Sequence, residues 1–252
     1  MNLVKNNSED NRENIPKILV GCPTSFHKEY CLKEYAEGIK NLTYANFDVL
    51  LVDNSNDKDI YLEKIKKIGL NAIKGPYFEG AMDRIVSSRN LIVEKVINEG
   101  YDYFLSLEQD VIPPKNIIEL MLESKKKIIT GIYFNHNNIN EEIKLIPLAY
   151  KIVEEELNNP KENKLPAMRP LNNNELWDNP KVMQIVSSGL GCILIHREIL
   201  EKIKFRHEKT GAFDDRFFCI DLYKQHIPLY TDTRIKCKHL TLNRPFPWSN
   251  IK

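Results

Sequence analysis

Short apolar runs of strand length alternate with segments of helical periodicity through the first half of the chain, and this alternation constrains the fold most. Apolar runs bounded by turn residues are typical of strands buried on both faces. The predicted strands cover residues 17–21, 47–53, 101–107 and 127–134, and the predicted helices cover residues 30–42, 60–68, 87–100 and 116–124. The alternation of strand and helix favours an α/β fold, in which helices cover both faces of a mostly parallel sheet.

The second half has a different pattern and indicates how the domain is organised. A chain of 252 residues is long enough to bury a substantial core, and we expect residues 15–252 to form a single domain. Residues 1–14 are polar and are predicted to be a mobile tail. Residues 135–180 are rich in Asn, Glu, Lys and Pro, which predicts a hairpin and loops inserted into the second part of the domain, 135–252.

The overall charge and the cysteine content narrow the classes of partner and compartment. The chain has 36 basic and 35 acidic residues, a net charge of +1, so no field of one sign favours nucleic acid or an anionic membrane. No apolar run approaches the roughly 18 residues of a membrane span. The five cysteines are odd in number and show no C-x-x-C spacing, which disfavours a disulfide framework and is typical of a reducing cytoplasm.

Polar residues that follow the apolar strands mark where a site is expected, because ligands of open α/β sheets bind beyond the carboxyl ends of the strands. One predicted strand ends in Glu108, Gln109 and Asp110. In extended chain, Glu108 and Asp110 share a face and Gln109 turns aside. Two such carboxylates suit Mg²⁺ or Mn²⁺, which often bridge to diphosphate oxygens. Two solvated carboxylates at a strand end are the commoner arrangement.

Three later features can each be explained either by a catalytic or binding role or by a structural role. Asp214 and Asp215 open a predicted helix, where acidic residues complement the helix dipole, but a carboxylate there also suits a base that deprotonates a hydroxyl. His239 closes the last predicted strand, and a lone histidine is more often structural than a metal ligand. Trp177 lies in a polar part of the insert, where it either covers a loop or stacks on a sugar.

The order of these features resembles glycosyltransferases of the GT-A fold, and especially their family 2-like group. The resemblance is carried by KILVGCPTS, VLLVDNSND, RNLIVEKVINEGYDYFLSLEQDVIPPKN, SSGLGCILIHREILEKI, FDDRFF and KHL, and it extends over residues 15–242. It implies a GT-A domain whose first half, 15–134, binds a nucleotide. The second half, 135–252, would then hold the acceptor and a metal ion.

The resemblance also implies roles for individual residues. Asp110, the last acid of a D-x-D-like element, and His239 would ligate a divalent cation, Mn²⁺ or Mg²⁺. Asp215 would be the catalytic base, with Asp214 before it and an aromatic residue, Phe218, after it. The residues implied to bind the nucleotide or the donor sugar are Pro23, Thr24, Asp53, Arg89, Asn90, Glu108, Gln109, Gly189 and Gly191.

The sequence departs from the family pattern at several positions. Glu108 stands for the first acid of the D-x-D element and is longer by one methylene, so we do not expect it to ligate the metal directly. Asp214 stands where the family has Glu, which leaves open which of the two carboxylates is the base. The cations expected beside the diphosphate are Arg234, Lys236, Lys238 and Arg244.

The activity implied is the transfer of a sugar from a nucleotide-diphosphate donor, most often a UDP-sugar, to an acceptor hydroxyl with inversion. The acceptor would be a carbohydrate, a lipid-linked molecule or a protein, and the insert 135–180 is assigned to its recognition. We expect no nucleic-acid partner and a location in the cytoplasm, which allows peripheral association with the inner face of the membrane.

Two other functions stay open. One is a sugar-nucleotide-forming nucleotidyltransferase, although GCPTSFHK lacks the glycine-rich, arginine-bearing loop that cradles a triphosphate. The other is a non-catalytic module of the same fold that binds a nucleotide or a carbohydrate.

Overall fold

The computed structural model describes residues 15–139, 142–153, 165–208 and 211–243. The predicted tail 1–14, Arg244 and part of the insert 135–180 lie outside the described residues. Within those four described ranges, no helix is both long and apolar enough to cross a membrane.

Fifteen strands and six α-helices make up the described part of the domain. The strands are β1 (Ile18–Thr24), β2 (Phe47–Asp53), β3 (Ala72–Lys74), β4 (Tyr103–Leu107), β5 (Val111–Ile112), β6 (Ile128–Ile132), β7 (Phe134–Ile139), β8 (Glu142–Pro147), β9 (Ala149–Ile152), β10 (Met168–Pro170), β11 (Val182–Ile185), β12 (Ser187–Ser188), β13 (Cys192–His196), β14 (Leu229–Lys236) and β15 (Lys238–His239). The helices are α1 (Leu32–Lys40), α2 (Ile60–Lys67), α3 (Ala81–Asn98), α4 (Ile117–Glu123), α5 (Arg197–Leu200) and α6 (Asp214–Lys224).

A central sheet of eight strands has the order β11–β14–β6–β13–β4–β1–β2–β3. All pairs in it are parallel except those made by β13 and β11, which run antiparallel to their neighbours. The predicted α/β fold, with a mostly parallel sheet flanked by helices, is therefore confirmed. Its parallel strands carry their carboxyl ends to one edge, and the polar segments that follow them meet there.

Strand β1 illustrates why the sheet is buried on both faces. Ile18, Val20 and Cys22 pack into an apolar cluster with α1, α2 and α4, whereas Leu19 packs into a second cluster with α3, α5 and α6. Successive side chains of a strand point to opposite faces, so a continuous apolar run supplies both clusters. The five cysteines are buried in these clusters or beside them, as expected for small core residues.

Two elements differ from the sequence-based expectation. Helix α3 begins at Ala81 and not at residue 87, because the apolar spacing continues back through residues 81–86 to Gly80, the residue that caps the helix with an extended backbone. Strand β3 was not predicted, since three residues carry no periodic signal, but Ala72–Lys74 pairs in parallel with β2 at the sheet edge.

Small antiparallel pairs build the region next to the carboxyl edge of the sheet. The hairpin predicted in the insert is confirmed as β7 paired with β8, and β9 pairs with β10 and β12. Strand β15 pairs with β5, with His239 opposite Val111. This last pair brings the end of the chain's described part beside the loop that follows β4.

Candidate active site

A cleft of about 340 Å³ lies at the carboxyl edge of the sheet. It is formed by the segment after β4, the residue after β6, the loop before β13, the start of α6 and the β15 strand. Its lining residues are Ile85, Glu108, Asp110, Tyr133, Asn135, Leu148, Leu190, Phe213, Asp214, Asp215 and His239. Five of the residues singled out from the sequence therefore share this cleft: Glu108, Asp110, Asp214, Asp215 and His239.

Asp110 and His239 converge, as their predicted common role requires. The Nε2 atom of His239 lies 3.7 Å from Oδ2 of Asp110. The other ring nitrogen, Nδ1, lies 2.8 Å from the carbonyl oxygen of Phe134, and the ring packs edge-on against Tyr133. A hydrogen bond of Nδ1 to a carbonyl fixes the ring orientation, so that Nε2 faces the carboxylate. The antiparallel pairing of β15 with β5 is the cause of this placement.

Lys28 also contacts Asp110, although no sequence signal marks this lysine. The ammonium group forms an ion pair with Oδ2 of Asp110, and the hydroxyl of Tyr30 lies 3.3 Å from the same oxygen. Lys28 reaches this position from the 3₁₀ helix Phe26–Cys31, which directly follows β1. Burial alone would raise the pKa of Asp110, but Lys28 and His239 reverse this effect and hold the pKa well below its usual value.

This arrangement does not fit a divalent cation while Lys28 is in place. In the described ranges, no group of three or more His, Cys, Asp or Glu side chains is placed to hold a metal ion. The donors at this point are one aspartate and one histidine, and an ammonium group already contacts the shared oxygen Oδ2. A second cation at that oxygen would be repelled. The Mn²⁺ or Mg²⁺ expected from the resemblance therefore stays a prediction that this geometry does not favour.

Asp215 faces the cleft from the first turn of α6. Its Oδ1 accepts a hydrogen bond of 2.7 Å from the backbone N–H of Arg216. Burial and the neighbouring charge of Asp214 raise the pKa of Asp215 from 3.8 to about 6. A carboxylate with this pKa is ionised at neutral pH and is a better proton acceptor than an ordinary aspartate.

Asp214 has a different environment, although it is the next residue in the chain. Its Oδ2 accepts a hydrogen bond of 2.7 Å from Nε of Arg89, and only 3% of Asp214 is exposed. Arg89 is 1% exposed and also donates to Ser106 Oγ at 2.7 Å. Arg89 was predicted to approach the donor. It is instead a buried positioning residue that joins α3, β4 and α6 and anchors Glu108 at 3.4 Å.

Asn90 and Gln109 also have structural contacts in place of the predicted donor contacts. The side chain of Asn90 exchanges two hydrogen bonds with the backbone of Phe205, which fixes the chain after α5. Gln109 turns aside, as predicted from the strand alternation. Its amide donates to the hydroxyl of Tyr61 and to the carbonyl of Lys28, and it is 1% exposed. Both side chains are therefore internal supports.

The acid at the end of β2, Asp53, is sealed inside the protein. Its Oδ1 accepts hydrogen bonds from the N–H and the hydroxyl of Ser55, and its Oδ2 pairs with Lys74 at 2.9 Å. With 0% exposure, it offers no oxygen to a nucleotide. The expected contact with a base or ribose is not available in this arrangement.

A second cleft, of about 210 Å³, lies over the ends of β1 and β2. Thr24 is buried against Gln109, and Pro23 on β1 lies opposite Val52 of β2, so neither predicted residue lines it. The lining comes from the residues just beyond and from the segment before α3: Ser25, Phe26, His27, Asn54, Ser55, Asn56, Tyr77 and Arg84. The ends of β1 and β2 were predicted to carry a site, and most of the residues that line this cleft lie within a few positions of the predicted ones. No sequence signal marks Tyr77 or Arg84.

Tyr133 packs so closely against Gly189 and Gly191 that neither position has room for a Cβ atom. A Cβ at Gly189 would lie 2.1 Å from the hydroxyl oxygen of Tyr133, and a Cβ at Gly191 would lie 2.8 Å from its ring carbon Cζ. The N–H of Gly191 donates to that hydroxyl at 2.8 Å. Leu190, between the two glycines, is the residue of this loop that lines the first cleft.

The later basic residues contact groups outside the first cleft. Arg234 pairs with Asp232, Lys236 stacks over Trp177, and Lys238 pairs with Glu34. Trp177 itself stacks on Phe134 and is 55% exposed. Phe218 packs against Phe205 in the core and not at the cleft. Lys28 is therefore the lysine that the structure brings to Asp110 in place of the predicted cations.

No protein-family model matches the chain, and no curated protein matches it. Among solved structures, residues 1–349 of TarS from S. aureus align with a TM-score of 0.53 and 13% identity, over 87% of this chain and 60% of that one. The same TarS segment in complex with UDP-GlcNAc aligns with a TM-score of 0.53 and 12% identity, over 88% and 58%. Its complex with UDP has the same TM-score and 14% identity.

The chain spans about three fifths of the length of these TarS structures. At such low identity, the likeness concerns the backbone arrangement alone. It shows that this chain has the GT-A-like α/β fold.

Proposed function

We propose that this chain is a glycosyltransferase that moves a sugar from a UDP-sugar to an acceptor hydroxyl, in the manner of the family 2-like group. The observation that carries the proposal is the convergence of Asp110, Asp215 and His239 on one cleft beyond the parallel strands. Support also comes from the fold, because TarS structures of this fold hold UDP-GlcNAc or UDP.

The two clefts divide the donor between them. The cleft over β1 and β2 offers the rings of Phe26 and Tyr77 and the amides of Asn54 and Asn56, which suits a nucleobase and its ribose. The larger cleft offers carboxylates and a histidine, which suits the hydroxyl groups of a sugar. Residues 25–28 connect the two, so the diphosphate would cross at Lys28 and Asp110.

Asp215 is the proposed base. The hydroxyl of the acceptor loses its proton to this carboxylate as its oxygen attacks the anomeric carbon, and the bond to the diphosphate breaks on the opposite face. Such a displacement inverts the anomeric configuration. Asp214 is held by Arg89 and accepts no proton in this scheme. Its charge contributes by raising the pKa of Asp215.

Acceptor recognition is assigned to the insert 135–180, because this segment differs most from the compact core. Asn135 on β7 and Leu148, between β8 and β9, line the cleft beside Asp215. The stacked pair of Phe134 and Trp177 lies on the same part of the chain and offers an exposed aromatic face. Trp177→Ala is expected to raise the KM for the acceptor and leave the KM for the donor unchanged.

A panel of nucleotide sugars tests the function. Each is added to the protein, and thermal unfolding is followed with Mn²⁺ or with EDTA. A donor stabilises the folded state by mass action, and release of UDP in the presence of an acceptor then demonstrates transfer. A shift without UDP release would favour the non-catalytic module, and the absence of any shift would contradict the proposal.

A further inference from the structure

We propose that Lys28 is a built-in cation of the donor site, and that this protein binds UDP and UDP-sugars without a divalent metal ion. The inference rests on the proposed function and specifies how the charge of the diphosphate is met. Its basis is the contact of the Lys28 ammonium with the carboxylate that the fold would otherwise offer to a metal.

The position of Lys28 between the two clefts is the first argument. Ser25, Phe26 and His27, which precede it directly, line the nucleoside-sized cleft. Its ammonium contacts Asp110, which lines the larger cleft. A diphosphate that joins a nucleoside in one cleft to a sugar in the other therefore passes this ammonium. With three N–H donors, an ammonium can contact a carboxylate and a phosphate oxygen together.

Charge is the second argument. A lysine has an ordinary pKa far above neutral, and the Lys28 ammonium forms an ion pair with the buried carboxylate of Asp110. The lysine is therefore a permanent cation. Tyr30 and His239 approach the same oxygen of Asp110 and complete a polar cluster around it.

A second lysine–aspartate pair serves as an internal comparison. Lys74 pairs with Asp53 at 2.9 Å, but Asp53 lines neither cleft. Its pair closes the end of β2 and has a structural role. Lys28 and Asp110 also form a direct ion pair, but the Asp110 carboxylate lines the larger cleft. A pair needed for folding alone would not have to lie where a ligand passes.

Calorimetric titration of the wild-type protein with UDP, in EDTA and in Mn²⁺, tests the inference without any substitution. We expect the two dissociation constants to agree within about threefold, a difference well below one charge-assisted contact. Tightening by tenfold or more on addition of Mn²⁺ would overturn the role of Lys28 and leave the glycosyltransferase proposal intact. Absence of UDP and UDP-sugar binding in both buffers would overturn the two together.

Substitutions at Lys28 add a second test. Lys28→Met is expected to weaken UDP binding in EDTA by about 10- to 100-fold, since a charge-assisted contact is lost. Lys28→Arg keeps the charge and should stay within a few-fold of wild type. Lys33→Met, which removes an exposed lysine from α1, is the matched control.

Manganese binding itself gives a readout that a purely structural lysine would not move. Electron paramagnetic resonance should detect no Mn²⁺ on the wild-type protein and bound Mn²⁺ on Lys28→Met, because the substitution opens Asp110 and His239. Tight Mn²⁺ binding by the wild type, or unchanged UDP affinity of a folded Lys28→Met protein, would contradict the inference.

Discussion

Four aspartates form two contrasting pairs at the carboxyl edge of the sheet. The carboxylates of Asp53 and Asp214 are held by cations with a structural role, Lys74 and Arg89 respectively, although Asp214 also lies in the wall of the larger cleft. Asp110 and Asp215 present theirs to the larger cleft beside His239. All four follow a strand or open a helix, so position in an element does not separate them.

The role of an acid at a strand end or at a helix start therefore depends on its ion-pair partner and on whether its carboxylate faces a cleft. Asp214 and Asp215 are neighbours, but successive helix residues point in different directions, and Arg89 buries only the first. Asp53 is bonded within its own turn and to the adjacent strand. Asp110 is bonded to residues from β15 and from the helix after β1, which surround a space that a ligand can enter.

The largest expected effect is on catalysis at Asp215. Asp215→Asn should lower the rate of sugar transfer by about 10²- to 10⁴-fold, the usual contribution of a general base. UDP affinity and the free energy of unfolding should change little. A folded Asp215→Asn protein with the wild-type transfer rate would show that Asp215 is not the base.

Asp214 should instead show its effect in stability. Asp214→Asn leaves the guanidinium of Arg89 buried without its main counter-charge, and breaking a buried pair in this way costs about 3–5 kcal/mol of unfolding free energy. Urea denaturation measures the loss. A change below about 1 kcal/mol, typical of exposed ion pairs, would contradict the structural role of the pair of Arg89 and Asp214.

The pH dependence of transfer follows from the raised pKa of Asp215. The base acts when deprotonated, so kcat/KM should be constant above about pH 7, be halved at the pKa of about 6 and fall about tenfold per pH unit well below it. An aspartate at its ordinary value of 3.8 would keep the rate constant down to about pH 4. A pH–rate profile measured at acceptor concentrations well below KM distinguishes the two.

Asp53 ends β2, next to the cleft proposed to bind the nucleoside, and can be compared with Asp110 beside the larger cleft. Asp53→Asn should cost about 1–3 kcal/mol of unfolding free energy, because hydrogen bonds to a buried charge are weakened. UDP affinity should be unchanged, since no oxygen of Asp53 lines a cleft. Loss of UDP binding with an unchanged free energy of unfolding would show that Asp53 binds the ligand and would contradict its structural role.

Substitutions at the two glycines before β13 test their proposed packing role. Gly189→Ala and Gly191→Ala should each destabilise the protein by about 1–3 kcal/mol through overpacking against Tyr133. Tyr133→Phe should recover part of the loss for Gly189→Ala, whose nearest contact is the hydroxyl, but not for Gly191→Ala, which also meets ring carbons. Equal recovery of both would contradict this packing.

The sheet, its flanking helices and the edge that carries the site could be predicted because apolar periodicity and strand-end polarity are local signals. Asp110, Asp215 and His239 were found by their order along the chain. Lys28 and Tyr133 could not be found, because their roles depend on pairings between distant elements: Lys28 meets a residue 82 positions away. For the same reason, Arg89 and Gln109 were assigned to the donor, although both are buried supports.

A crystal structure of the protein with UDP, grown in EDTA, is the most direct test of the proposed donor site and of the role of Lys28. We predict the base and ribose in the cleft lined by Phe26, Tyr77 and Arg84, with a diphosphate oxygen within hydrogen-bond distance of the Lys28 ammonium. UDP bound away from these two clefts, or a diphosphate that contacts Asp53 and not Lys28, would contradict it.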